Sequence, residues 1–130
     1  MTKIDLGTIL EDIGKLLAHD LGVDPEGAFL YAKAGRAWAG GGIYKDLGNQ
    51  ILYRGPSEAL FERIMDAWDA TEHDKKWEVM QYTIINGSFQ AQFEYLDDLN
   101  PEEASHWRCQ RILKERYGDK PIDYSDPEPR

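Results

Sequence analysis

The strongest constraint on the fold lies between Trp77 and Leu96, where two alternating runs flank Asn86-Gly87. Asn-Gly suits a two-residue type I′ turn, which needs positive φ at both central positions and matches the twist of the strands it joins. With Asn86 and Gly87 as the turn, Ile85 faces Ser88, and counting outward pairs Ile84 with Phe89, Tyr82 with Ala91 and Met80 with Phe93. One face then carries Met80, Tyr82, Ile84, Phe89, Ala91, Phe93 and Tyr95, and the other Val79, Gln81, Thr83, Ile85, Ser88, Gln90, Gln92 and Glu94. A one-residue slip would set the apolar side of one strand beside the polar side of the other, so turn chemistry and side-chain pattern select the same register. The expectation is an antiparallel sheet with one face buried and one largely wet.

The segments around the hairpin read as helices and short strands. Ile9, Leu10, Ile13, Leu16, Leu17 and Leu21 recur at helical spacing, predicting a helix over 5–21 capped by Asp5 or Thr8 and stopped by Gly22. Gly7 and Gly14 weaken it by about 1 kcal/mol each, so packing must supply the difference. After a turn at Val23 to Gly27, strands are predicted over 28–34, 36–44 and 50–54. Gly40-Gly41-Gly42 lacks the Gly-Lys-Ser/Thr that a phosphate loop needs and reads as a bulge or tight bend. Gly55-Pro56-Ser57-Glu58 opens a second helix, with Leu60, Phe61, Ile64, Met65 and Trp68 as its stripe. Asn100-Pro101-Glu102-Glu103 reads as a capped helix start, the helix running to Tyr117 and ending at Gly118. On it Cys109, Ile112, Leu113 and Tyr117 share one face, while Trp107 projects nearly opposite, beside Arg108 and Arg111. A tryptophan so placed is either packed beneath another element or presented to a partner. The class predicted is α+β: an antiparallel sheet of about four to five strands, with N-terminal, middle and C-terminal helices packed mainly on one face. Residues 1–121 are expected to form a single domain, and 122–130 a flexible, acidic, proline-containing tail.

With 42% hydrophobic and 30% charged residues, the chain has the composition of a globular protein that can bury a core. One cysteine, Cys109, precludes an intramolecular disulfide, and no apolar run approaches the ~20 residues of a membrane span. The N-terminus carries charges within its apolar pattern and reads as a helix, not a signal peptide, so a cytoplasmic location is expected. The net charge of −9, with no concentrated basic patch, argues against nucleic acid and anionic membranes as partners and favours a basic protein.

No catalytic constellation is legible. Cys109 is predicted on a packed helical face, and His19, His73 and His106 lie on three separate elements without metal-ligand spacing. Glu72, His73 and Asp74 are consecutive on one polar connection, where side chains rarely converge on one ion, so no metal and no cofactor is expected. Acid pairs at Asp97-Asp98 and Glu102-Glu103 lie where turns and first helical turns attract them.

Between Trp77 and Pro121 the chain reads WEVMQYTIINGSFQAQFEYLDDLNPEEASHWRCQRILKERYGDKP: a tryptophan opening a strand, a Gly hairpin, a Phe-x-x-x-Phe-x-Tyr strand ending in acids, and a helix bearing Arg108 that ends at a Gly before a proline. This resembles the bacterial YezG-like immunity protein family. The upstream order fits too: a helix, a strand at Phe29-Leu30-Tyr31, further sheet and a helix before the tryptophan. The resemblance implies a non-enzymatic antitoxin that neutralises a cognate secreted toxin domain by binding it. The charge would suit a basic nuclease toxin, with Asp97, Asp98, Glu102 and Glu103 at its phosphate sites and Trp107 as the anchor. The rival expectation is a small-molecule-binding or enzymatic domain with Tyr31, Trp38, Tyr44, Tyr53 and Tyr82 around a pocket. Either a monomer or a homodimer joined at an exposed edge strand is compatible with the pattern.

Overall fold

The structure, a computed structural model, describes residues 5–71 and 76–125. The elements follow as α1 (Leu6–Leu21), β1 (Phe29–Gly35), β2 (Trp38–Asp46), β3 (Ile51–Arg54), α2 (Glu58–Asp69), β4 (Trp77–Ile85), β5 (Ser88–Tyr95), α3 (Ser105–Tyr117) and β6 (Ile122–Asp123). The strands form one sheet in the order β5-β4-β1-β2-β3-β6. The expected α+β class is what the chain adopts, with a sheet of six strands that is antiparallel except for the parallel pair β3 and β6.

The hairpin has the register its turn dictates. Asn86 and Gly87 have φ of 54° and 74°, Ile85 pairs with Ser88, and the pairs run outward through Met80 and Phe93. The carboxylate of Glu26 accepts hydrogen bonds from the main-chain N–H groups of Asn86 (2.7 Å) and Gly87 (3.2 Å), clamping the turn to the loop after α1. At the far end a register shift between Trp77 and Val79 breaks the alternation. Strict alternation would put Trp77 on the Val79 face; the shift places it with Met80 and Tyr82 in the core under α1 and α2.

Two cores result, one on each face of the sheet. Ile9, Ile13 and Leu17 of α1 and Leu60 and Ile64 of α2 pack on Leu30, Ile43, Trp77 and Tyr82. On the other face Ile112 and Leu113 of α3 lie in a second core with Phe29, Tyr31, Tyr44 and Val79. Two of the three helices therefore share a face and the third takes the opposite one. The face expected to be largely wet is dry at Val79, which is 1% exposed.

A local contact explains Gly14 of α1. A Cβ on Gly14 would stand 2.6 Å from the Tyr82 hydroxyl, which donates a buried 2.6 Å hydrogen bond to the Leu10 carbonyl. Tyr82 thus joins the hairpin to α1 only because residue 14 has no side chain. Asp5 caps α1 through the Thr8 N–H, Gly22 ends it with φ 77°, and Ser57 caps α2 through the Leu60 N–H. The buried carboxylate of Asp20 accepts the Ser57 N–H at 2.8 Å, tying the end of α1 to the start of α2.

Three expectations need correction. No bulge occurs at Gly40-Gly41-Gly42: β1 and β2 pair without interruption from Phe29 with Tyr44 to Gly35 with Trp38. The third helix starts at Ser105, not beside Asn100, because the Asn100 side chain instead closes a turn on the Glu102 N–H (3.0 Å) and Ala104 stands at the cap position without a capping side chain. Ile122-Asp123, expected in the tail, is a strand beside Ile51 and Leu52, joined also by the Ile51 N–H to the Pro121 carbonyl at 2.9 Å. Residues 126–130 of that tail lie outside the described residues, as does the Glu72-His73-Asp74 connection.

Candidate partner-binding site

The acids and the tryptophan singled out by sequence surround the approach to α3. β5 leads into a short 3-10 turn, Leu96–Asp98, which leaves Asp97 and Asp98 exposed. Leu99 then packs into the second core, and Asn100 folds the chain back over Glu102 and Glu103. Glu102 is exposed. Among the described residues no ion pair involves Asp97, Asp98 or Glu102.

Glu103 is different. Its carboxylate accepts two hydrogen bonds from the Arg111 guanidinium, at 2.8 and 3.1 Å, and lies 3.7 Å from the Arg108 Nε. The Arg108 Nη2 donates to the Glu103 carbonyl at 3.1 Å, and the whole Arg108 side chain is buried. Sequence spacing placed Arg108 on the polar face with Trp107. Its burial follows from the 100–103 turn, which folds beside the helix and offers backbone carbonyls to the guanidinium. Glu103 is thus a structural counter-ion of α3, unlike the exposed acids beside it.

The Arg111 hydrogen bonds hold the Glu103 carboxyl below its ordinary range. A depressed folded-state value means that the stabilisation is complete above the unfolded carboxyl pKa of about 4.3 and is lost as pH falls through the folded value. Glu103→Gln is therefore expected to be less stable than the wild type at neutral pH, and the gap to narrow at a pH below the unfolded carboxyl value of about 4.3. Denaturant midpoints at the two pH values measure it; a pH-independent gap refutes an ionic role.

Trp107, in the first turn of α3, is 65% exposed, the most exposed of the large hydrophobic side chains described. Its ring meets the His106 ring edge-on at 5.2 Å and borders a shallow groove that continues along Lys114 and Tyr117 to Tyr124. Of the two readings open for this residue, packing beneath another element is not what the described residues show. No protein-family model and no curated protein matches the chain.

The aromatic residues of the rival reading divide between places. Tyr31, Tyr44 and Tyr53 border one pocket between the sheet and the start of α3, together with Cys109, His106 and Tyr124. Tyr82 lies in the opposite core, and Trp38 is half exposed at the β1–β2 turn. Burial pushes the Tyr31 phenol up to about 12, and it likewise raises the Tyr44 phenol and the Cys109 thiol, so all three are neutral at physiological pH. A neutral, half-buried thiol is a poor nucleophile. Lys33 donates to the Ser105 hydroxyl at 3.0 Å, joining β1 to the first residue of α3 beside the same pocket. Sequence reading missed Tyr124 and Lys33, since neither the tilted ring contact of Tyr124 with Tyr53 nor the β1-to-α3 tie has a local signature.

Among the described residues no group of three or more His, Cys, Asp or Glu side chains could hold a metal ion, and no helix is long and apolar enough to cross a membrane.

Proposed function

We propose that this chain is an immunity protein of the YezG-like kind, which neutralises a cognate secreted toxin domain by binding it in the cytoplasm of the producing cell. The exposure of Trp107 carries the reading. Tryptophan is the residue type most enriched at binding hot spots, and a ring left 65% in solvent at the start of a helix gains most from a partner's apolar pocket. Asp97, Asp98 and Glu102 add exposed charge upstream of it, and a chain of net charge −9 is attracted to a basic toxin such as a nuclease. Glu103 supports the surface indirectly, by holding the 100–103 turn against α3.

The reading expects a secreted-toxin gene in the adjacent reading frame, and the test is co-expression with the toxic domain of that neighbour, followed by binding kinetics. Growth should be rescued. Trp107→Ala should weaken binding by about 2 kcal/mol, chiefly through faster dissociation, whereas alanine at Asp97, Asp98 and Glu102 together should slow association and flatten its salt dependence. Failure to rescue overturns the reading, and unchanged on-rates move the surface elsewhere.

A second reading, a small-molecule-binding domain, draws on the gathering of Tyr31, Tyr44 and Tyr53 at one pocket. Rescue that survives Tyr53→Ala but not Trp107→Ala assigns the activity to the helix surface.

A further inference from the structure

Among the described residues β5 ends the sheet on one side, with β4 as its one neighbour in the strand order. Natural edge strands are usually kept from pairing by brevity, by lysine or proline, or by charges turned inward. β5 has none of these devices, and the one irregularity of its pairing with β4, the bulge between Trp77 and Val79, lies at the far end from the hairpin turn and leaves Ser88 to Phe93 regular. The strand is eight residues long, reads Ser-Phe-Gln-Ala-Gln-Phe-Glu-Tyr, and bears a single charge, Glu94, in a chain of net charge −9. We propose that β5 pairs antiparallel with β5 of a second copy about a two-fold axis at Ala91, continuing the sheet through both protomers.

The hydrogen-bond phase of the hairpin allows this register. A type I′ turn makes the flanking residues Ile85 and Ser88 a hydrogen-bonded pair, so Ser88, Gln90 and Gln92 turn their main-chain groups toward β4. Phe89, Ala91 and Phe93 turn theirs to the open edge. An axis at Ala91 sets Ala91 against its own copy and Phe89 against the partner's Phe93, so outward-facing groups meet outward-facing groups in every pair.

The side chains agree with it. On the side that carries α1 and α2 an aromatic faces an aromatic at both ends of the interface, one of the favourable cross-strand combinations. On the other side Gln90 faces the partner's Gln92, and Ser88 faces the partner's Glu94. No two like charges oppose each other.

The surface beside the strand has room for what a second copy brings. An open groove runs between α1 and the tip of the hairpin, bordered by Gly14, Lys15, Tyr82, Ile84, Gly87 and Phe89. In this register the partner's Tyr95 lies across from Gly87, where nothing stands within 4 Å of the absent Cβ. The partner's Phe93 and Tyr95 are therefore set beside Phe89 and Gly87 at the groove's border, and Phe93 and Tyr95 of the first copy stand at the equivalent border of the partner, which makes the interface self-complementary. Trp107 and the acids before α3 take no part, so the inference stands apart from the toxin-binding reading.

Sedimentation of the full-length chain over a concentration series tests it. The wild type should form a dimer. Gln90→Lys with Gln92→Lys, both at exposed positions, opposes lysine to lysine twice and should raise the dimer dissociation constant about tenfold or more. Gln90→Lys with Gln92→Glu opposes unlike charges in the same register and should restore dimerisation. A wild type that stays monomeric up to about 1 mM, or a dimer as tight in the double-lysine variant, overturns the interface. A monomeric lysine-glutamate variant overturns the axis at Ala91.

Discussion

Replacing Gly41 with alanine should cost about 3 kcal/mol or more, enough to lower Tm by roughly 10 °C, whereas the same change at Gly40 should lie within about 0.5 kcal/mol of neutral. The three consecutive glycines look equivalent in sequence and are not. At Gly41 φ is 149°, and a Cβ would lie 2.1 Å from the Tyr31 carbonyl oxygen, a backbone atom that can move only by parting β1 from β2. At Gly40 nothing lies within 4 Å of the added atom. Gly42 is intermediate: its Cβ would meet Tyr53 at 2.6 Å and the Tyr44 hydroxyl at 3.1 Å, side chains that can shift. Denaturant unfolding of the three alanine variants should rank Gly41 as the most damaging, then Gly42, then Gly40. Equal losses at Gly40 and Gly41 would mean that the run acts through backbone freedom in general and not through contact with Tyr31.

The other large effect is expected at Trp77, whose truncation to alanine should cost about 3–5 kcal/mol. The residue is fully buried, its ring lies 5.5 Å from Phe93, and its carbonyl accepts the Trp68 indole N–H at 2.9 Å. Lys76, next to it, donates to the carbonyls of Trp68 and Thr71 at 2.8 Å each, so the end of α2 and the start of β4 form one knot around the two tryptophans. The Trp77 indole N–H is itself buried without a hydrogen-bond partner among the described residues. Trp77→Phe should therefore lose much less than the alanine variant, about 1 kcal/mol, since it keeps most of the apolar volume and removes an unpaired donor. Losses of similar size in both variants would show that shape at this position matters more than buried volume.

The same residue shows where sequence reading stops. The Asn86-Gly87 turn determined the pairing from Ile85 with Ser88 to Met80 with Phe93, because a two-residue turn leaves one register and the alternation agrees with it. It did not reveal the irregularity next to Val79, since an extra residue in a strand alters nothing that a period of two records until the partner strand is seen. Trp77 is strongly hydrophobic on either face; only the shift decides that it lies under α1 and α2.

The candidate surface divides in the same way. Composition and local chemistry marked Asp97, Asp98, Glu102, Glu103 and Trp107 together, and helical angles put Trp107 away from the apolar stripe. Which of the four acids is occupied depends on where the chain turns back, and the turn at Asn100 commits Glu103 to Arg111 and leaves the other three outside any ion pair described. Likewise Tyr31, Tyr44 and Tyr53 share a pocket because β1, β2 and β3 are neighbours in space, whereas Tyr82 alternates onto the other side of the sheet.

The sequence by itself determined the end of α1 at Gly22, the opening of α2 at Gly55-Pro56-Ser57-Glu58, the hairpin and its register, and the amphipathic stripes of the first two helices, all of which depend on residues a few positions apart; it left Asp5 and Thr8 as alternative caps, between which the structure chose Asp5. Tertiary structure alone decided that α3 covers the opposite face from α1 and α2, that Arg108 is buried while Trp107 is not, and that Ile122-Asp123 completes the sheet. The reason is range. Turn dihedrals and side-chain periodicity are local properties written in adjacent residues, whereas the choice of a face, a counter-ion or a neighbouring strand is fixed by groups that meet only after the chain has folded back on itself.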